Sequence, residues 1–167
     1  MNSAAAKMLV MAGEKFACVK IIGRANFTTS IDFKTLINEL KQAGYSYFVL
    51  ELSECVLMDS TFLGVLAGFG LKTSELTIEL RNPTPRITEL LENLGVLHLF
   101  KLVQGPLSAT AKETWEHCQT EASKEQVTRA CLEAHQTLMS VNPENVARFK
   151  DVTQFLAEDL KNIEKSS

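Results

Sequence analysis

The sequence has no CxxC pair, no excess of positive charge, no apolar run long enough to span a bilayer, and no internal repeat or low-complexity tract. Its four cysteines, Cys18, Cys55, Cys118 and Cys131, are scattered, so free thiols in a reducing cytosol are expected rather than a disulfide framework. A net charge of −3 leaves no basic footprint. Direct nucleic-acid binding is therefore not expected, because phosphate neutralisation needs clustered Lys and Arg. The opening residues, MNSAAAKMLVMAGEKF, are small and apolar, but the run breaks at Gly13-Glu14-Lys15. That is too short for a signal-peptide core, so neither a leader nor a membrane span is expected. The motifs GxxxxGKS, GxxxxGKT, GxGxxG, HExxH and GxSxG are absent too, which removes the usual phosphate cradles and nucleophile elbows.

What remains is an ordinary globular composition, 46% hydrophobic and 22% charged, at a length that suits one core domain with an extension. Met8 to Met11 and Phe16 to Ile22, separated by Ala12-Gly13-Glu14-Lys15, predict a β-hairpin, with Cys18 as a small buried hydrophobe in its second strand. Ile31, Phe33, Leu36, Ile37 and Leu40 recur at helical spacing, which predicts a helix capped by Ser30 and stopped at Gly44. Short strands are expected within Tyr45–Leu52 and Leu76–Leu80. Pro83 and Pro85 precede a helix over Arg86–Asn93 that Gly95 ends, and Leu97–Val103, with His98 as an ordinary strand residue, forms a last strand. Strands alternating with helices after a hairpin predict a mixed sheet with βαβ crossovers.

The most informative stretch is Val49 to Leu71. Val49, Leu50, Leu52, Val56 and Leu57 suit one central strand covered on both faces. Asp59 and Ser60 stand where a helix would start, and both can accept a hydrogen bond from its free N–H groups. From Thr61 to Leu71 there is neither proline nor charge. Such a helix is too short for a bilayer, which needs roughly 20 residues, so it must hide its faces in protein. One face can meet the sheet. The other, smoothed by Gly64 and Gly68, offers close backbone approach either to a partner or to a neighbouring element of the same chain.

Leu50-Glu51-Leu52-Ser53, Met58-Asp59-Ser60 and Leu63-Gly64-Val65-Leu66 resemble the signature of the STAS domain, the fold of bacterial anti-sigma factor antagonists. Gly23-Arg24-Ala25-Asn26-Phe27 resembles the loop after the second strand of that family. Asn82-Pro83-Thr84-Pro85-Arg86 with Leu90-Leu91-Glu92-Asn93-Leu94-Gly95 resembles its last helix, so the resemblance covers about Ala5 to Val103. It implies an α/β fold with a mixed sheet of about five strands, spanning residues 1–106. It also implies that Ser60 is the phosphate acceptor of a partner kinase with Asp59 beside it, and that Asn26, Asp59, Ser60, Thr61, Phe62 and Gly64 form the partner-binding region. Thr61-Phe62 replaces the common small pair of the family, and Asn26 stands where many members carry aspartate.

Beyond Gln104-Gly105-Pro106 the composition shifts. Residues 107–122 read as a linker, with Trp115 as a candidate anchor, and 123–164 as a helical hairpin within the extension 107–167. Ser123 with Gln126 makes a capping box ahead of Val127, Ala130, Cys131, Ala134, Leu138 and Val141. Asn142-Pro143 restarts the chain before a stripe of Val146, Phe149, Val152, Leu156, Leu160 and Ile163. Neither helix is stable alone, so the hairpin must dock on the core, on another copy or on a partner. Cys131 and His135 at i,i+4, with His117-Cys118 upstream, lack the paired spacing of structural zinc sites, and no metal is expected.

No histidine is placed by sequence to serve Ser60 as a base, and the acidic residue before it opposes an oxyanion, so no catalysis is expected. With the resemblance, the expected function is that of a cytoplasmic bacterial signalling protein in transcription regulation. It would bind an anti-sigma factor with kinase-like activity, which itself supplies ATP, and Ser60 phosphorylation would weaken that binding. The alternative is a STAS-like scaffold that needs no phosphate and assembles through the hairpin, including into homo-oligomers.

Overall fold

The computed structural model describes residues 6–106, 116–117 and 123–166. Trp115 and Cys118 lie outside the described residues. In order, the elements are β1 (Lys7–Ala12), β2 (Ala17–Ala25), α1 (Phe27–Gln42), β3 (Tyr47–Glu51), β4 (Cys55–Met58), α2 (Ser60–Gly70), β5 (Thr77–Arg81) and α3 (Pro85–Asn93). A short 3₁₀ turn (Leu97–Leu99), β6 (Lys101–Val103), β7 (Glu116–His117), α4 (Lys124–Val141) and α5 (Glu144–Ser166) follow. The sheet order is β6-β5-β3-β2-β1-β7, with β4 pairing β2 off this path. The β1 pairings with β2 and β7 are antiparallel and the others parallel, so the sheet is mixed, as the alternating pattern predicts.

Side chains alternate across each strand, and the even split decides what covers the sheet. Ala17, Val19 and Ile21 of β2, Phe48 and Leu50 of β3, and Ile78 and Leu80 of β5 join one core with Phe33 and Ile37 of α1, Phe62 and Leu66 of α2, and Ile87 and Leu91 of α3. The opposite face carries a small cluster of Met11, Cys18 and Val49 against Phe16 and Tyr47. Among the described residues, helices pack on one face only, and the other face of the central strand is covered through Val49 by this small cluster. Burial pushes the Cys18 thiol up to about 12 and the Cys55 thiol to about 11, so both act as small apolar side chains.

Three local readings shift. The expected single strand from Val49 through Leu57 is two strands, because the chain turns at Leu52–Glu54, where the Cys55 N–H donates to the Leu52 carbonyl at 3.0 Å. Val56 is left 57% exposed as a result. Helix α1 starts four residues earlier than a cap at Ser30 would place it. Asn26 is its N-cap, accepting from the Thr28 and Thr29 N–H groups, while Ser30 is buried in the first turn and donates to the Phe27 carbonyl. The expected strand 97–103 begins as a 3₁₀ turn that contains His98, and only Lys101–Val103 pair with β5. The predicted stops hold at Gly44 and Gly95, whose positive φ values of 103° and 73° suit residues without a Cβ.

Helices α4 and α5 form an antiparallel hairpin. Arg129 near the start of α4 pairs with Glu164 near the end of α5, while Asn145 at the start of α5 donates to the carbonyl of Leu138 near the end of α4. The Ser123–Gln126 capping box forms as the sequence predicts. On α5 the covered line runs Asn145, Phe149, Thr153, Leu156, Leu160; Val146 and Val152 lie beside it and are exposed, so the predicted stripe is right for only part of its length. The hairpin docks on the core: Leu138 is fully buried in the main cluster, and α4 packs along α2. Within the expected linker, β7 pairs β1 and adds a strand.

Asn145 is the polar anchor of this docking. Wholly buried, its amide donates to the carbonyls of Leu94 at 3.0 Å and Leu138 at 2.8 Å, tying the end of α3 to the hairpin turn. Replacing Asn145 with Ala takes its partner from the Leu94 carbonyl and leaves the Leu138 carbonyl with only the Asn142 N–H, so the variant should lose about 1–3 kcal/mol of unfolding free energy. Urea unfolding of both proteins measures it, and an unchanged midpoint would show that the anchor contributes nothing.

Candidate functional site

The site is built by a handover between two strands. The first half of β2 pairs with β3 and the second with β4, the latter with a register irregularity between Gly23 and Arg24. Strand β4 thus runs out beside the end of β2, and the Asp59 N–H donates to the Ala25 carbonyl at 2.9 Å. The start of α2 is held next to Asn26, the start of α1. Asn26 is adjacent to the site as expected, but its side-chain oxygen is spent on capping α1.

Asp59 caps α2 by accepting the Phe62 N–H at 2.8 Å. Burial pushes its carboxyl above the ordinary carboxylate range, opposed first by that hydrogen bond. Ser60, the first residue of the helix, is half-buried, and its hydroxyl lies 2.8 Å from Nε2 of His135 on α4. The other ring nitrogen, Nδ1, lies 2.6 Å from the Cys131 carbonyl. A carbonyl only accepts, so Nδ1 carries the proton and Nε2 accepts from the Ser60 hydroxyl. The ring is 5% exposed and is backed edge-on by Phe149 of α5, centroids 5.0 Å apart.

The rest of the predicted partner-binding set divides by helix face. Phe62 points to the sheet, fully buried with its ring 5.1 Å from that of Phe33, so it belongs to the core rather than to an outward surface. Thr61 and Gly64 face α4. The Thr61 hydroxyl donates to the Cys131 sulfur at 3.5 Å, and any Cβ on Gly64 would collide with the Ala134 backbone. The uncharged outer face of α2 is thus covered by the chain's own α4, and of the two options left open by the sequence it is this one that holds.

Sequence reasoning missed His135 as the partner of Ser60. Its i,i+4 spacing from Cys131 bears on metal ligation alone, which the sequence disfavours, and a contact 75 residues away in sequence has no local signal. The trace that did exist was complementary: small residues Gly64 and Gly68 on α2, and Ala130 and Ala134 on α4. Among the described residues, no three His, Cys, Asp or Glu side chains converge as metal ligands, and no helix is long and apolar enough to cross a membrane.

A Ser–His hydrogen bond of this length is also how a nucleophile meets its base. Here the nitrogen that would take an orienting carboxylate is bonded to the helix's own carbonyl, and α4 lies over the hydroxyl.

The STAS domain family model matches residues 10–114, and the chain belongs to that family. Two solved structures share the fold. One, the anti-sigma factor antagonist SpoIIAA in its unphosphorylated form, is 14% identical with a TM-score of 0.52, the match covering 60% of this chain and 88% of that one. The other, the Bacillus cell fate determinant SpoIIAA in the phosphorylated form, is 16% identical with a TM-score of 0.50, covering 60% and 91%. No curated protein matches the chain.

Asp59 offers a test of the site's electrostatics. Asp59→Asn keeps an oxygen for the Phe62 N–H and removes a carboxylate whose ionisation burial opposes. A raised folded-state pKa means that ionising Asp59 costs stability as pH rises through that pKa and costs nothing below the unfolded value of about 3.9. Asp59→Asn should therefore be at least as stable as the parent at pH 7, with its advantage vanishing toward pH 3, while Asp59→Ala loses the cap and about 1 kcal/mol. Unfolding midpoints across that range decide it; an Asn variant as weak as the Ala variant at pH 7 would contradict the assignment.

Proposed function

We propose that this STAS domain protein is a non-catalytic signalling module of the bacterial cytoplasm that binds an anti-sigma factor with serine-kinase activity, and that phosphorylation of Ser60 weakens the binding. The observation that carries the reading is the position of Ser60. It is the first residue of α2, directly after the capping Asp59, at the end of the strand handover that the family fold provides. The free N–H groups of a helix start favour an anion, so a phosphoryl group there need not break the fold. The matched fold is known for one protein in both unphosphorylated and phosphorylated forms, which supports the same chemistry here.

In the transfer, the Ser60 oxygen would form the new bond to the γ-phosphorus of ATP held by the partner. ADP would leave, and the hydroxyl proton would pass to a base on the partner. The modified side chain would bring about −1.5 to −2 charges. Placed beside Asp59 and the uncharged helix, that charge opposes any protein that must strip water from the surface. The fold survives and the interface does not.

A second reading is a phosphate-independent scaffold, favoured by one observation: α4 already covers Ser60. Intact-mass analysis of protein taken from its native cells, followed by titration of captured partners, separates the two. Ser60→Asp should keep its sheet core folded yet bind at least tenfold more weakly, a loss of about 1.4 kcal/mol. Ser60→Ala should bind at least as well as the unmodified protein and accept no phosphate. Equal affinities for all three proteins would leave the scaffold.

A further inference from the structure

The face of α2 that the proposed function assigns to a partner is already occupied, and the manner of its occupation links it to Ser60. Three contacts join α2 to α4: Ser60 with His135, Thr61 with Cys131, and Gly64 with Ala134. We infer that the α4–α5 hairpin is an intramolecular competitor that shields Ser60 and the outer face of α2, and that the hairpin, the partner and a charge on Ser60 exclude one another. The partner half of this inference rests on the reading above; the exclusion between hairpin and charge does not.

Steric room decides the second point. At 2.8 Å, no atom fits between the Ser60 oxygen and the imidazole nitrogen. A phosphoryl group adds a phosphorus and three oxygens there, and Phe149, packed edge-on against the ring with centroids 5.0 Å apart, opposes its displacement. Docked hairpin and modified serine are therefore incompatible, and α4 must lift at this point.

The hairpin is built unevenly, in a way that permits lifting without dismantling the core. Its turn end is anchored by Asn145, by Leu138 and by the Arg148 guanidinium, which donates to the Asn93 carbonyl. Toward the other end of α4 the contacts are small or polar: Ala130, Cys131, Ala134 and His135, with an exposed Lys34–Glu133 ion pair of the kind that contributes little. Between α4 and the second half of α2 the packing is also incomplete: a groove of about 300 Å³ runs from Ala130 to Ser140, lined by Val65, Gly68, Phe69 and Thr137. Motion about the Asn145 anchor uncovers Ser60 while the sheet and its first helix layer stay intact.

The thermodynamic consequence is a reduction of partner affinity by the fraction of molecules undocked; a hairpin closed 99% of the time weakens binding by roughly 100-fold. Full-length variants test both halves. Ala134→Arg sets a long cation where the chain is 2% exposed and should force undocking. Thr61→Cys should lock the docked state through a disulfide to the native Cys131, since the Thr61 hydroxyl lies 3.5 Å from that sulfur at the end that lifts. Without any partner, amide hydrogen exchange in α4 should quicken at least tenfold in Ser60→Asp and in Ala134→Arg while β2 and β3 stay protected. With the partner, Ala134→Arg should bind at least tenfold more tightly than the parent, and the oxidised cysteine pair should bind only after reduction. If Ala134→Arg loses β2 and β3 protection too, Ser60→Asp and the cysteine pair carry the test. Unchanged α4 exchange in Ser60→Asp, or equal partner affinity of the oxidised and reduced cysteine pair, would overturn the inference and leave the partner reading standing. Faster α4 exchange with no partner bound by any variant would support the exclusion and sink the partner reading.

Discussion

Helix α2 has no charged face, and much of the architecture follows from that. Phe62, Leu63, Leu66 and Phe69 are buried, and no side chain from Thr61 to Leu71 is charged. Exposed, such a surface would be a binding or aggregation site. Here the sheet covers one side and α4 the other, and the second contact is close because Gly64 lets the backbone of Ala134 approach where any Cβ would collide. The extension is thus a third layer over the sheet and its helices, locked at the turn by Asn145.

The same close approach places a histidine on a serine. Once Gly64 meets Ala134, the next residue of α4 lies over the start of α2, and His135 completes the hydrogen bond with Ser60. Its tautomer is set by the Cys131 carbonyl and its ring is held by Phe149. In the family fold alone, the hydroxyl at this helix start would face solvent or a partner. With the extension docked, it has a proton acceptor from its own chain, and the helix start, Asp59 and His135 form one polar patch at the edge of an apolar interface.

The position of that patch depends on the sheet. Because β2 changes partner from β3 to β4 midway, the starts of α1 and α2 emerge side by side, joined through the Asp59–Ala25 backbone hydrogen bond. Asn26 and Asp59 then cap neighbouring helices with the same device, a short side-chain oxygen on free N–H groups. Proximity of Asn26 to Ser60 is a product of topology, and the side chain itself is committed to α1.

Periodicity, turn residues and caps, all local properties, determined the alternating α/β order, the hairpin entry, the stops at Gly44 and Gly95, a helix start at Asp59-Ser60 and the Ser123–Gln126 box. These were legible because each acts within a few residues of itself. The same local logic failed where two local signals competed: Ser30 against Asn26 for the cap of α1, and the apolar run Val49–Leu57 against the turn at Leu52–Glu54 that the β2 handover favours. The uncharged character of α2 announced a covering surface, but not which one. Tertiary structure alone decided that α4 is the cover, that Phe62 turns to the core, and that His135 meets Ser60, because these depend on how distant apolar faces find the arrangement with least exposed area, a choice that no short window of sequence contains.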